Sequence, residues 1–131
     1  MTYVDGFVLP VPENRLEDYR KMAENAGKIW MEHGALAFKE CCIEDGNPTA
    51  PEDMPEMKMV PFSDLARLKD GETVIFSFIV FKSREHRDEV NAKVMADPRM
   101  KDSCPGQNPD LDMPFDVNRM SYGGFKTIVD F

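Results

Sequence analysis

The sequence predicts a single α+β domain built on a four-stranded antiparallel sheet, and three observations carry that expectation. Strand-like and helix-like hydrophobic patterns follow one another in the order β-α-β, long connection, β-α-β. The chain has 131 residues, the size of one domain with its own core. Its 42% hydrophobic and 31% charged residues make a globular chain, not a disordered one.

Residues Tyr3 to Val11 (YVDGFVLPV) read as the first strand, rich in aromatic and β-branched side chains. Its two faces are Tyr3, Asp5, Phe7, Leu9 and Val4, Gly6, Val8, and Pro10 and Pro12 are expected to end it. Asn14 to His33 reads as a long amphipathic helix, with Asn14 as N-cap and Glu17 as its capping-box partner. Leu16, Tyr19, Met22, Ala23, Ala26, Ile29, Trp30 and His33 recur at spacings of three and four, forming its inward stripe. Gly34 stands where a left-handed C-cap belongs. Ala35 to Ile43 is the second strand, alternating Leu36, Phe38, Glu40, Cys42 with Ala35, Ala37, Lys39, Cys41.

The connection from Glu44 to Gly71 is long and rich in proline and methionine, with room for a helical turn in Phe62 to Leu68. Glu72 to Lys82 (ETVIFSFIVFK) is the clearest strand. Ser83 caps a second helix running to about Ala96, in which His86, Val90 and Val94 share a face and Arg84 and Asp88 are spaced to pair. A second loop, Ser103 to Asn118, carries Cys-Pro-Gly, Asn-Pro and Met-Pro turn signals. Arg119 to Phe131 is the last strand, where Gly123-Gly124 suggests a bulge or a close backbone approach. This order is the split βαβ, ferredoxin-like arrangement: one domain over residues 1–131, its sheet carrying both helices on one face.

Helices on one face leave the other bare. A half-solvated strand should alternate apolar and polar residues. The third strand does not: Val74, Phe76, Phe78 and Val80 form one side, and Ile75, Ile79 and Phe81 the other, interrupted by Ser77 alone. An exposed apolar sheet face is more than a soluble monomer normally carries. A homodimer joined through the sheet faces, near 30 kDa from two 15.0 kDa chains, satisfies it. One of the long loops folding over that face is the other solution.

Charge narrows the partners. Sixteen Lys+Arg against 24 Asp+Glu leave a net charge of −8, which counts against binding a phosphate backbone. No nucleic-acid partner is therefore expected. The N-terminal MTYVDGFVLPVPENR lacks a signal peptide's basic and long apolar regions, and no apolar run is long enough to span a bilayer. The expectation is a cytoplasmic protein without a membrane partner. Cys41, Cys42 and Cys104 are odd in number and wrongly spaced for a disulfide framework or zinc knuckle, so they read as reduced thiols partly buried in strands. No cofactor and no metal site is expected: His33 and His86 have no ligand companion at helical spacing, and a haem ligand role for either is the remote reading.

Five residues stand out for chemistry. Asp5 falls in a strand that this topology makes central, where a carboxylate must be hydrogen-bonded or face a wet pocket, so it is the candidate acid/base. Ser77 interrupts an apolar strand, Glu40 lies in the second strand, and Tyr3 and Tyr122 offer phenols, making these four candidate ligand-binding groups. Each has a plainer reading as a strand-end carboxylate, space-filler, edge residue or core aromatic. Lys82, Arg84 and Arg87 cluster at the second helix's start, offset by Glu85, Asp88 and Glu89. Met54, Met57 and Met59, with Met113-Pro114-Phe115, could lid a pocket.

Four segments, YVDGFVLPVP, AGKIWMEHGAL, SREHRDEVNAKVMADPRM and MPFDVNRMSYGGF, resemble a bacterial family of YbaA-like proteins over nearly the whole chain. The resemblance implies a dimeric α+β barrel, in which two ferredoxin-like sheets meet. No established reaction comes with the family, so no catalytic residue is carried over. An RNA-related label on some members gets no support from the −8 charge. The wider superfamily includes cofactor-free monooxygenases, muconolactone isomerases and haem-binding enzymes. With that breadth the fold alone does not name a function. Asp5, Ser77 and the two long Pro/Met-rich loops point to a small-molecule pocket, with monooxygenase- or isomerase-like chemistry or non-catalytic binding as the alternatives.

Overall fold

A computed structural model describes residues 1–46, 52–54 and 58–131. Four strands, β1 (Tyr3–Pro12), β2 (Ala37–Cys42), β3 (Glu72–Phe81) and β4 (Ser121–Lys126), form one antiparallel sheet in the order β2-β3-β1-β4. The helices are α1 (Leu16–Glu32), a single turn α2 (Phe62–Leu65) and α3 (Arg84–Met95). The two longest and most apolar strands, β1 and β3, occupy the centre and pair along their whole length, from Tyr3 opposite Phe81 to Pro12 opposite Glu72.

That register assigns the faces. Tyr3, Asp5, Phe7 and Leu9 share a side with Phe81, Ile79, Ser77 and Ile75, because residues directly opposite in an antiparallel pair point the same way. Phe38, Glu40 and Cys42 of β2 join them. Both long helices pack on this side. Ile29 of α1 and Val90 and Val94 of α3 are buried with Ile79 and Phe81. Tyr19 and Ala23 of α1 are buried with Leu9, Val11 and Ile75.

Several local expectations need correction. β1 does not stop at Pro10, which is buried within it. β4 pairs with β1 only as far as Val8, so the proline's missing N–H falls where β1 has a single neighbour. Asn14 does not cap α1: it lies inside a 3-10 turn, Glu13–Arg15, and no side-chain cap bond forms. Ser83 does cap α3, its Oγ accepting the His86 backbone N–H at 3.0 Å. Asp88 is held by Arg87 rather than Arg84. Gly34 adopts φ +114°, as a left-handed C-cap requires.

The last strand is shorter than expected and contains no bulge. Gly123 and Gly124 stay in register with Gly6 and Asp5, and a Cβ at Gly124 would collide with the Tyr3 ring. Close approach, not chain irregularity, explains the glycines. Cys41 and Cys42 are exposed free thiols rather than partly buried ones, because β2 is an edge strand.

The opposite face of the sheet is apolar and largely open. Phe76 is 43% exposed and Phe125 is 59% exposed. Among the described residues, Phe62 of α2 covers one end, packing edge-on against Phe76 at 6.2 Å. Met57 lies outside the described residues. Met54 and Met59 are exposed, whereas Met113 and Phe115 line the space between sheet and helix.

Candidate functional site: a cavity between sheet and helix

The residues singled out in the sequence separate into two groups on the helix-covered face. Asp5, Tyr3 and Tyr122 meet at one end, and Ser77 and Glu40 at the other. Phe7 stands between them, its ring 5.0 Å from that of Tyr122.

At the first end Asp5 is buried to 2% exposure in the central strand. Arg87, reaching over from α3, donates from Nη1 to Asp5 Oδ1 at 2.7 Å and to the Tyr122 hydroxyl at 2.8 Å. Tyr122 donates in turn to Asp5 Oδ1 at 3.1 Å. The guanidinium lies over the Tyr3 ring, 4.9 Å from its centroid. Burial, then the neighbouring Asp5 carboxylate, raises the Tyr122 phenol above its ordinary value. This carboxylate is therefore compensated in charge and in hydrogen bonding, as a buried charge must be.

The second end borders a cavity of about 230 Å³ between the sheet and α1. Phe7, Leu9, Ser77 and Ile79 form its floor, and Tyr19, Ala23, Ala26 and Trp30 of α1 its roof. The connection after α3 closes it with Met100, Met113 and Phe115. Small residues on α1 make the room: alanines at 23 and 26 stand where larger side chains would fill it. Gly27 lets Phe38 approach the helix, since a Cβ there would lie 2.9 Å from that ring.

The cavity's polar groups are few and adjacent. The Tyr19 hydroxyl donates to Glu40 Oε2 at 2.7 Å. Glu40 and Ser77 are register partners on neighbouring strands. Glu40 is exposed on its outer side, yet desolvation by its dense surroundings raises its carboxyl pKa, while the Tyr19 hydrogen bond and the neighbouring Ser77 hydroxyl pull the other way. Burial chiefly, and then Glu40, raises the Tyr19 phenol. No Lys or Arg among the described residues engages this carboxylate. Lys39 borders the cavity, but its strand position belongs to the opposite face.

Tyr19, Ala23, Phe38 and Glu40 also line an open groove outside, between α1 and edge strand β2. They are thus the shared wall between solvent and cavity, with the Tyr19–Glu40 hydrogen bond set into it.

The model of a family described as protein of unknown function (DUF1428) matches residues 2–117. The chain belongs to this family. Within DUF1428 it is 42% identical over 130 residues to the uncharacterized protein YbaA of Escherichia coli (strain K12), covering 99% of both chains. The same figures hold for YbaA of Shigella flexneri. Among solved structures, the de novo designed protein Foldit4 aligns over 97% of this chain and 99% of its own, with 8% identity and a TM-score of 0.45, a likeness too distant to inform the fold.

Two residues of this DUF1428 chain that matter at the site, Tyr19 and Arg87, escape a reading of the sequence. Tyr19 looks like one more member of the apolar stripe. The available signal is its position beside small residues on the helix face that crosses Glu40. Arg87 looks like part of a solvated basic cluster, and its partner Asp5 is 82 positions away. His33 and His86 are both engaged: His33 Nε2 lies 2.8 Å from Asp97 Oδ2, and His86 Nδ1 accepts the Lys82 backbone N–H at 3.0 Å. Among the described residues no group of three or more His, Cys, Asp or Glu is arranged to hold a metal ion, and no helix is long and apolar enough to cross a membrane.

Proposed function

We propose that this protein binds a small molecule in the cavity between its sheet and α1. In this reading the fold is ferredoxin-like, and two chains pair through their open sheet faces into a cytoplasmic dimeric α+β barrel. The observation that carries the reading is the cavity itself: about 230 Å³, walled mainly by aromatic and methionine side chains, with Glu40, Tyr19 and Ser77 gathered on one side. A few convergent polar groups in an apolar hollow are the usual make-up of a ligand site. The dimer is supported by the exposure of Phe76 and Phe125 on a face that the helices leave uncovered.

Transverse NMR mapping with 2-phenylethanol, a neutral probe of suitable size, tests the site. Saturable amide shifts confined to the lining residues are expected, and Ala26→Phe, which fills the cavity, should abolish them while the spectrum stays folded. No saturable shift, or one that survives the filling, overturns the reading.

A second reading is an enzyme of the cofactor-independent monooxygenase or isomerase type, needing a group that moves a proton. Asp5 is the residue to which the sequence points. The geometry favours Glu40, because Asp5 is already held by Arg87 and Tyr122 and is not among the cavity-lining residues. Asp5 then serves the site by fixing β1 against α3.

A further inference from the structure

We infer that the occupant of this cavity is a small organic cation: a protonated amine on an apolar, largely aromatic body, its ammonium group held by the Glu40 carboxylate. The inference rests on the cavity being a ligand site, as proposed above, and goes on to name the ligand's charge and shape.

Three features lead to it. The first is the mismatch at Glu40. Asp5, the buried carboxylate on this face, has its counter-charge in Arg87 at 2.7 Å. Glu40, on the exposed edge strand, borders the cavity with a tyrosine hydroxyl at 2.7 Å, and no Lys or Arg among the described residues engages it. A partly desolvated carboxylate is best completed by a positive group. Dense surroundings on the cavity side raise its carboxyl pKa, in keeping with that open place.

The second is the rest of the wall. Trp30 and Phe38 sit 6.0 Å apart on one side of the space, and Tyr19 and Phe115 pair at 5.6 Å on another. Aromatic faces favour a cation or an aromatic body and offer nothing to a carboxylate or phosphate. The third is access. Glu40 belongs both to the cavity and to the groove outside, so its carboxylate borders solvent as well as the cavity. The net charge of −8 draws cations toward the surface and repels anions.

Three probes of one size separate charge from shape: 2-phenylethylamine, 2-phenylethanol and phenylacetate, titrated against the intact protein. Trp30 is the chain's single tryptophan and lines the cavity, so its fluorescence reports occupancy. The amine should bind about tenfold tighter than the alcohol, as a charged hydrogen bond exceeds a neutral one, with phenylacetate weakest. Glu40→Gln should bring the amine to within about threefold of the alcohol. Tyr19→Phe, which frees the carboxylate from its internal donor, should keep or increase the preference for the amine. An alcohol that binds as tightly as the amine overturns the cation and leaves the ligand site standing. A preference that survives Glu40→Gln, or vanishes in Tyr19→Phe, overturns the role of Glu40. If none of the three probes changes Trp30 emission, the cavity is not a ligand site and both readings fall.

Discussion

Two carboxylates stand on the helix-covered face of one sheet and have been given opposite surroundings. Asp5, in the central strand, is 2% exposed and fully answered: Arg87 supplies charge, Tyr122 a hydroxyl, and Tyr3 a ring for the guanidinium to lie on. Glu40, in the edge strand, receives a tyrosine hydroxyl beside the hollow, and no Lys or Arg among the described residues engages it. The difference separates scaffold from site. A buried charge that the protein itself neutralises is a structural clamp, because any ligand would have to displace a better partner. A carboxylate left electrostatically incomplete beside a cavity has capacity to spare.

The clamp is the sharper of the two to break. Arg87→Met leaves Asp5 buried without its counter-charge, and losing one partner of such a pair costs about 3–5 kcal/mol. Urea unfolding should show that loss at neutral pH, with the slope unchanged. Asp5→Asn combined with Arg87→Met should recover part of it, because the orphaned charge is gone. A single-variant loss no larger than the roughly 0.5 kcal/mol of an ordinary surface change would mean that the pair clamps nothing.

The wall of the cavity comes next in expected size. Gly27→Ala trades two effects. Alanine favours the helix by about 1 kcal/mol. Its Cβ, however, would stand 2.9 Å from the Phe38 ring, and overpacking of this kind costs about 1–3 kcal/mol. Phe38 is packed against Trp30, so the ring must turn into the cavity or the groove outside. We expect a net loss of about 1 kcal/mol and weaker 2-phenylethanol binding, since the displaced ring is part of the wall. A variant that is more stable and binds the probe normally would show that Phe38 moves freely.

How far these two regions were legible in the sequence follows from how local their signals are. β3 announces itself through apolar residues on both sides, and its polar interruption, Ser77, does face the cavity. Asp5 is conspicuous as a carboxylate in an apolar strand. What it does was hidden, because its partner sits on another element and only the register of β1 against β4 and the seat of α3 bring Arg87 and Tyr122 together. Glu40 reads as one polar residue of an edge strand. The hydroxyl above it belongs to a tyrosine that hydrophobic periodicity assigns to the core, correctly, since Tyr19 is buried there. Periodicity says which side chains turn inward. It does not say where the inward side chains fail to fill the space, and that failure makes the cavity.

The smallest expected effect tests Glu40 through the protein's own stability. Its folded pKa is raised, so between the unfolded and folded values the native chain holds more protons than the unfolded one. The stabilisation is therefore complete below the unfolded value and is lost as pH rises through the folded one. Above that range the ionised carboxylate is a burden that glutamine does not carry. Glu40→Gln should melt higher than the wild type at about pH 8, and the difference should close toward about pH 4. The groups facing Glu40 set the size: Tyr19 from α1 and Ser77 from β3 both favour the ionised form and offset part of the desolvation. Solvent reaches the residue as well, so the gap should stay below about 1 kcal/mol. Tyr19→Phe removes one of the offsetting bonds and should steepen the decline with pH. A Glu40→Gln variant that is less stable at about pH 8 than at about pH 4, relative to the wild type, would place Glu40 with Asp5 among the compensated charges and erase the contrast between the two ends of the sheet.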